Sequence, residues 1–423
     1  QFFLVGFAHI FYRHLHTLYV NFKDFRYLFA PLQIAKASEG RLNILVFNWR
    51  DLKHVWGGGA EVYVEEIAKR WVKEGHAVTL FCGNDGKNKM NEKISGIQII
   101  RRGGFYTIYI WALLYYLLKF RGKFDVVVDS ENGIPFFTPL YVSVPVVLLI
   151  HHVHQDYLRE QAPFPISHIS KLLESRLMPY VYKGSEIATV SESSKKDIVS
   201  LGFKKKHIEV INPGINIRDY KKLKKTQSPT FIYVGRLKPY KNVDVAIKAI
   251  ALLKDKYSQI KLIIAGKGES EKYLRTLAQK LGASDHVEFH GFVTDQQRVT
   301  LFAQSWAAIQ PSSFEGWGIT VIEANASGTP VIASKIKGLS DSVVDGRTGL
   351  LVPPCDEKIL AKVMGELIKF EDFRHEISEN AYEWSKNFSW DKSSKEFLKV
   401  IFRTLETKRD IVFVRKPALT ESD

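Results

Sequence analysis

The stretch from Gln310 to Ser334 constrains the fold more than any other part of the chain, because its pattern joins two strands through a turn and a helix. An apolar run stops at Pro311, and a Gly-Trp-Gly turn follows. Apolar residues then recur at helical spacing until Gly328 and Pro330, which are typical of a helix end. The pattern predicts a strand, a glycine turn, a helix and a second strand.

The glycine turn at residues 316–318 predicts an anion-binding site. A helix that begins there directs unpaired N–H groups and the positive end of its dipole towards a phosphate, and glycines let that phosphate come close. Glu315 stands before the turn, and Glu323 lies one to two turns into the helix. Carboxylates repel phosphate, but they accept hydrogen bonds from sugar hydroxyls. The pattern therefore favours a ligand with both phosphate and hydroxyl groups.

Residues Glu315 to Ala333 resemble the signature of the retaining, nucleotide-sugar-dependent glycosyltransferases of family 4, E-G-[FW]-G-[IL]-x-x-x-E-A-x-A-x-G-x-P-V-[IV]-A. The resemblance implies an α/β chain with the GT-B fold, in which two Rossmann-like domains face each other across a central cleft. An exposed helix carboxylate is the alternative for Glu323. The residues implied to bind the donor here are Glu315, Gly316, Trp317, Gly318, Ile319 and Glu323, and Glu315 is also implied to be catalytic.

Length, cysteine content and charge set the broad class. A chain of 423 residues predicts two or three domains. Its two cysteines, Cys82 and Cys355, lie far apart, which favours a reducing compartment and hence the cytoplasm. The net charge of +15 predicts an anionic partner, which leaves nucleotide phosphates, nucleic acid or a membrane face. No recognition motif accompanies the basic residues, so we do not expect nucleic acid.

Residues 41–213 read as the first Rossmann-like domain, the acceptor domain. Its βαβ opening comprises the strands RLNILVFNW and AVTLFC and a helix with one apolar face, formed by Val64, Ile67, Ala68 and Trp71. The resemblance implies that the glycine loop between them, with Gly58 and Gly59, lies near the donor phosphate and the acceptor. A plain glycine-rich connector is the alternative.

Three histidines follow the buried strand PVVLLI, namely His151, His152 and His154. They stand at its C-terminal end, where ligands bind in open α/β sheets. Neither an H-E-x-x-H motif nor a cysteine partner accompanies them, so a metal site is the weaker interpretation. The resemblance implies that His151 lies beside the transferred sugar as a catalytic residue, with His152 as the second choice.

Residues 214–387 read as the second Rossmann-like domain, which binds the donor. Arg236 and Lys241 directly follow the strand FIYVG, where two cations are placed to hold a diphosphate, and Asn242 is expected to cap the next helix. The pattern G-R-[LF]-x-x-x-K-[GN] resembles the family here and implies the same role, with two surface cations as the alternative. The further residues implied to contact the nucleotide are Gly266, Phe292 and Val293.

Both ends of the chain differ from this pattern. Residues 1–40 are rich in aromatic residues and start at Gln1 rather than Met, so we expect the end of a longer element, either a packed helical hairpin or an interfacial membrane helix. Residues 388–406 resemble the family helix that crosses back onto the first domain, and residues 407–423 form a tail. The basic run at residues 221–225 is expected to be a solvated linker.

A second aromatic-rich segment, residues 103–118, carries no charge. It is too short to span a bilayer, and five cations flank it, namely Arg101, Arg102, Lys119, Arg121 and Lys123. Together with residues 1–40 it predicts a peripheral contact with the cytoplasmic face of a membrane. Packing of both segments into the first domain is the alternative.

The resemblance implies a function as well as a fold. It predicts transfer of a hexose-type sugar from a UDP- or GDP-sugar to a glycan or lipid-linked acceptor, with retention by same-face attack and without a metal or other cofactor. The sequence contains no Asp-x-Asp metal motif. A UDP-sugar 2-epimerase of the same architecture and a non-catalytic nucleotide-sugar-binding protein remain alternatives.

Overall fold

The computed structural model describes residues 40–153 and 166–414, which fold around two largely parallel β-sheets. The first sheet has the strand order β3-β4-β2-β1-β5-β6-β7-β8, and only the β3–β4 pair is antiparallel. Its strands are β1 (Asn43–Phe47), β2 (Ala77–Cys82), β3 (Asn91–Ile94), β4 (Ile97–Arg101), β5 (Val126–Glu131), β6 (Val146–Ile150), β7 (Glu186–Thr189) and β8 (Ile208–Val210). The central strands β5 and β6 are buried along their whole length, as expected for a sheet covered on both faces.

The second sheet is smaller and entirely parallel, with the order β11-β10-β9-β12-β13-β14. Its strands are β9 (Thr230–Val234), β10 (Lys261–Ala265), β11 (Val287–Gly291), β12 (Ala307–Gln310), β13 (Val331–Ser334) and β14 (Gly349–Val352). In both sheets the strand order reverses beside the first strand, β1 or β9. The α/β prediction of two Rossmann-like halves is confirmed.

Helices connect the strands. In the first half they are α1 (Gly59–Lys73), α2 (Ile108–Tyr115), α3 (Ile166–Leu172), α4 (Met178–Val181) and α5 (Glu192–Ser200). In the second half they are α6 (Val243–Leu253), α7 (Glu271–Lys280), α8 (Asp295–Gln304), α9 (Ile319–Ala326), α10 (Leu339–Ser342), α11 (Glu357–Lys369) and α12 (Glu371–Ser385). The last helix is α13 (Trp390–Val414), and short π-helical turns follow α2 and α3 at Tyr116–Phe120 and Leu173–Leu177.

Helix α1 buries the face that the sequence predicts for it. Helix α13 returns to the first half and packs there, with the Phe397 ring 5.3 Å from Trp71 and the Trp390 ring 5.8 Å from Tyr63. One apolar cluster therefore runs through both halves, and it includes Trp317 beside the second sheet. This packing fixes the cleft between the two sheets.

Some segments differ from the sequence predictions or lie outside the part of the chain that the structure describes. The aromatic-rich segment at the N-terminus lies outside the described residues. The linker at residues 221–225 is not fully solvated, because Lys225 is half-buried and donates a hydrogen bond of 2.7 Å to Thr329 Oγ1. Burial, together with Arg374 and Lys222, lowers the pKa of Lys225 to about 7. Among the described helices, none combines the length and the apolarity that a membrane crossing needs.

Candidate active site

A cavity of about 670 Å³ opens between the C-terminal ends of the two sheets. It brings together most of the residues that the sequence predicts for the site, namely Gly58, Gly59, His151, Arg236, Lys241, Glu315, Gly316, Trp317, Gly318 and Ile319. Four other predicted residues do not line it, namely Gly266, Phe292, Val293 and Glu323.

Arg236 follows β9 and reaches across the cleft. Its Nη1 donates to the backbone oxygen of Trp56 in the first half at 3.0 Å, and its Nη2 donates to Tyr240 Oη at 3.1 Å. A Cβ on Gly58 would lie 3.3 Å from the guanidinium carbon. The glycine loop of the first half and the cation of the second half therefore meet at one point.

Lys241 forms an ion pair with Glu315, directly before the glycine turn. Glu315 Oε1 also accepts hydrogen bonds from Gln310 Nε2 at 2.7 Å and from Ser312 Oγ at 3.0 Å. Burial raises the pKa of Glu315, but the charge of Lys241 and these hydrogen bonds outweigh burial, so the pKa lies below its ordinary value. The carboxylate is therefore charged, and it holds the lysine at the mouth of the turn.

Asn242 does not cap α6 with its side chain, contrary to expectation. It adopts a left-handed conformation with φ of 49°. Its Nδ2 donates to the backbone oxygen of Pro311 at 3.1 Å and to Ser313 Oγ at 2.6 Å. Asn242 thus ties the loop that carries Lys241 to the loop that carries Glu315.

The glycine turn requires glycine at two positions. Gly318 has φ of +92°, which side chains rarely adopt, and α9 begins at the next residue. A Cβ on Gly316 would lie 2.6 Å from the backbone oxygen of His151. The turn before α9 therefore lies close to the end of β6 across the cleft, and Ile319 and Thr320 at the start of α9 line the cavity.

We expect Gly316→Ala to lower kcat/KM about tenfold, because the added methyl group must separate the two halves by a fraction of an ångström. Gly184→Ala is the control, since a Cβ there meets nothing within 4 Å. Steady-state kinetics compare the two variants. Equal rates for both would show that close contact between Gly316 and His151 does not matter.

His151 is buried at the cavity wall. Its Nε2 lies 3.2 Å from Ser130 Oγ, and the centroid of its ring lies 5.5 Å from that of the Tyr63 ring, with the two rings nearly perpendicular. His152 lines the same cavity, and His154 falls outside the described residues. Within the described ranges, no three His, Cys, Asp or Glu side chains come together as a metal site.

Glu323 is buried away from the cavity. It forms an ion pair with Arg298 Nη2 at 3.0 Å, and Tyr220 Oη donates a hydrogen bond to it at 3.1 Å. Burial raises the pKa of Glu323 above its ordinary value, although Arg298 opposes that shift. Its donor-binding role stays a prediction, because its carboxylate is paired here with Arg298 and Tyr220.

The other three predicted nucleotide contacts also lie outside the cavity lining. Gly266 packs so closely on the preceding strand that a Cβ would lie 1.8 Å from Gly235 O. Phe292 is exposed, and Val293 next to it is half-buried. These positions sit at the C-terminal ends of β10 and β11, and their nucleotide contacts remain predictions.

Three polar residues that the sequence interpretation did not single out also line the cavity. Glu61 Oε1 accepts from Arg50 Nε at 2.8 Å and from Asn132 Nδ2 at 3.1 Å, and Glu61 Oε2 accepts from Gly58 N at 2.7 Å. Arg50 follows β1 and Asn132 follows β5. Their position at the ends of parallel strands was the signal available in the sequence.

Two family models match the chain. Residues 57–219 match the model described as Glycosyltransferase Family 4, and residues 216–384 match the model described as Glycosyl transferases group 1. The two matches cover both halves of the cleft. The chain therefore belongs to the family 4 glycosyltransferases, with the GT-B fold.

Individual proteins agree with this assignment. A D-inositol 3-phosphate glycosyltransferase of Corynebacterium urealyticum is 33% identical over 182 residues, which are 41% of this chain and 43% of that protein. The chain spans about half the length of the first curated relatives it matches.

Solved structures share the fold. Sucrose-phosphate synthase from Thermosynechococcus elongatus has a TM-score of 0.73 at 19% identity, covering 87% of this chain and 100% of that one. HepE from Anabaena, solved with UDP and glucose, has a TM-score of 0.68 at 18% identity, covering 86% and 100%.

Proposed function

We propose that this protein is a retaining glycosyltransferase that moves a hexose-type sugar from a UDP- or GDP-sugar to a glycan or lipid-linked acceptor. One observation carries the proposal: Arg236, Lys241 and the start of α9 converge in one cavity, opposite His151. Two cations and a helix N-terminus suit a diphosphate, and the wall opposite them leaves room for a sugar. The ligand described for HepE supports UDP as the first nucleotide to test.

The proposed reaction breaks the bond between the anomeric carbon and the diphosphate oxygen. The electron pair stays on that oxygen, and Arg236, Lys241 and the α9 N–H groups stabilise its growing charge. The acceptor oxygen bonds to the same face of the sugar, and its proton passes to the departing diphosphate. The donor diphosphate would compete with Glu315 for Lys241, which the ion pair keeps in position.

Same-face attack is favoured over a covalent sugar–enzyme intermediate. Of the described carboxylates that line the cavity, Glu61 is held by Arg50, Asn132 and the Gly58 amide, and Glu315 is held by Lys241. A nucleophilic carboxylate must be free to approach the anomeric carbon. These contacts support direct transfer to the acceptor.

The proposal includes metal independence and a cytoplasmic location. The positive charge that a divalent cation would supply to the diphosphate can come from Arg236, Lys241 and the helix start. Both cysteines are free, with Cys82 buried and Cys355 exposed, which suits a reducing compartment.

A thermal-shift panel of UDP- and GDP-sugars in excess EDTA tests the donor. We expect one nucleotide series to raise the melting temperature, because a ligand at a hundred times its Kd stabilises the folded state by about 2.7 kcal/mol. Uridine and guanosine are the matched controls, since they lack the diphosphate. No shift with any sugar nucleotide, or a shift only without EDTA, would contradict the proposal.

Product analysis separates the transferase from the 2-epimerase alternative. With a donor and an acceptor, we expect a new glycosidic bond whose anomeric configuration by NMR equals that of the donor. Conversion of the sugar nucleotide to its C2 epimer without an acceptor would instead identify an epimerase.

A further inference from the structure

Helix α2, the turn before it and the π-helical turn after it (Tyr116–Phe120) present an apolar outer face. Six large apolar side chains there are at least 41% exposed to solvent, namely Phe105, Tyr106, Ile110, Trp111, Leu114 and Leu118. No charged residue occurs from 103 to 118. This set is called the α2 face below.

The opposite side of the same segment already packs on the first sheet. Ile108, Ala112, Tyr116 and Phe120 recur every four residues and are buried in one core cluster. A helix with one buried face normally exposes polar residues on the other, and a helix that is apolar all round is normally buried. The α2 face therefore indicates a partner that is itself apolar.

The charges around the α2 face have one sign. Residues 93–124 contain six Lys and Arg and no Asp or Glu. Arg101 is buried and paired with Asp51 and Glu92, and Arg102 donates to Tyr115, Met90 and Asn91, so these two are not available as the sequence interpretation assumed.

Three cations remain at the end of the α2 face. Lys119, Arg121 and Lys123 are exposed, and none forms an ion pair with a described residue. They follow directly on Leu118, the most exposed apolar residue of the face. Exposed apolar side chains beside unpaired cations complement an anionic lipid headgroup layer over an acyl layer.

The α2 face is continuous with the cavity. Phe105 and Tyr106 line the cavity as well as the face, and the Phe105 ring lies 4.5 Å from Trp49 and 5.9 Å from Trp56. Aromatic side chains favour the boundary between headgroups and acyl chains. A surface that rests on the α2 face would therefore meet the mouth of the cleft.

We propose that the α2 face, with Lys119, Arg121 and Lys123, docks the protein onto an anionic bilayer so that the cleft opens at the headgroup level. The acceptor is then a molecule anchored in that bilayer, with its hydroxyl group raised into the cleft. The acceptor class rests on the proposed transferase function, whereas the docking surface does not depend on it.

Co-sedimentation of the full chain with vesicles tests the surface. The wild type pellets with phosphatidylglycerol vesicles at low salt, and less with phosphatidylcholine vesicles or at high salt. The triple variant Lys119→Glu, Arg121→Glu and Lys123→Glu binds at least about tenfold more weakly, since each cation near an anionic leaflet contributes a severalfold gain in affinity.

A second triple variant tests the apolar part. Ile110→Asp, Leu114→Asp and Leu118→Asp abolishes pelleting even at low salt, because the face can no longer enter the headgroup layer. The matched control is Leu252→Asp with Tyr273→Asp, which changes two equally exposed apolar residues of the second half and leaves pelleting unchanged. Donor thermal shifts on every variant confirm folding and report the proposed function separately.

Different results would contradict the docking surface and the transferase function. Unchanged pelleting in both triple variants would overturn the α2 face as the docking surface. Absence of wild-type pelleting with anionic vesicles would also overturn it. If the wild-type protein binds no sugar nucleotide, the proposed transferase function and the acceptor class are contradicted, whereas the proposed docking surface is not affected.

Discussion

Arg236→Ala and Lys241→Ala are each expected to lower kcat/KM roughly 30- to 1,000-fold. This corresponds to a loss of about 2–4 kcal/mol of transition-state stabilisation. Arg236 is already oriented by Trp56 and Tyr240, and Lys241 by Glu315. Both cations are therefore fixed before the diphosphate gains charge, which is the arrangement that stabilises a transition state most. Steady-state kinetics with the donor found in the thermal-shift panel give the values.

Two matched variants sharpen that experiment. Lys261→Ala removes a cation at the N-terminal end of β10, away from the cavity, where Lys261 pairs with Glu288. The rate of this variant should not change. Arg236→Lys keeps the charge but cannot make both contacts of the guanidinium, so most of the loss should persist. Rates within about threefold of wild type for both alanine variants would remove the diphosphate assignment.

His151→Ala is expected to lower kcat about a hundredfold with little change in donor affinity. Its ring lies in the cavity wall, and alanine keeps the backbone oxygen that faces the glycine turn, so the variant should disturb the position of the sugar more than that of the nucleotide. Calorimetric donor titration beside kcat separates the two effects. Loss of donor binding in this variant would assign His151 to the nucleotide instead.

Glu323→Gln is the companion variant for that titration. If the carboxylate binds a ribose hydroxyl, the donor Kd should rise about tenfold as a charge-assisted hydrogen bond becomes neutral. If Glu323 only balances Arg298, the melting temperature should fall while the Kd stays the same, because a half-buried cation loses its partner. The structure shows the contacts with Arg298 and Tyr220, so this variant tests the donor-binding role predicted for Glu323 directly.

Local sequence patterns predicted the frame of the site well. The buried strands, the apolar face of α1 and the glycine turn before α9 all occur as expected. Each depends on neighbours in sequence or on a short period, so the chain itself carries the information. The ends of parallel strands then bring His151 to the C-terminal edge of the first sheet, and Arg236 and Lys241 to that of the second, on facing sides of the cleft.

What the sequence could not show depends on contacts between distant segments. Glu323 faces Tyr220 from the connection between the halves and Arg298 from α8, and no local pattern encodes that pairing. Asn242 bonds to the loop at Pro311 rather than capping its own helix. The sequence pattern predicts Arg101 as a surface cation, but in the structure it is buried and paired with Asp51, which lies fifty positions earlier in the chain.

Calorimetric titration of UDP and of GDP in EDTA tests the central claim most directly, since it needs neither the acceptor nor the sugar. Wild-type protein should bind one of the two nucleotides without a metal, and the double variant Arg236→Ala with Lys241→Ala should bind it at least about tenfold more weakly. Equal affinity in both proteins, or binding only when a divalent cation is restored, would contradict the claim that these two cations and the start of α9 hold the diphosphate.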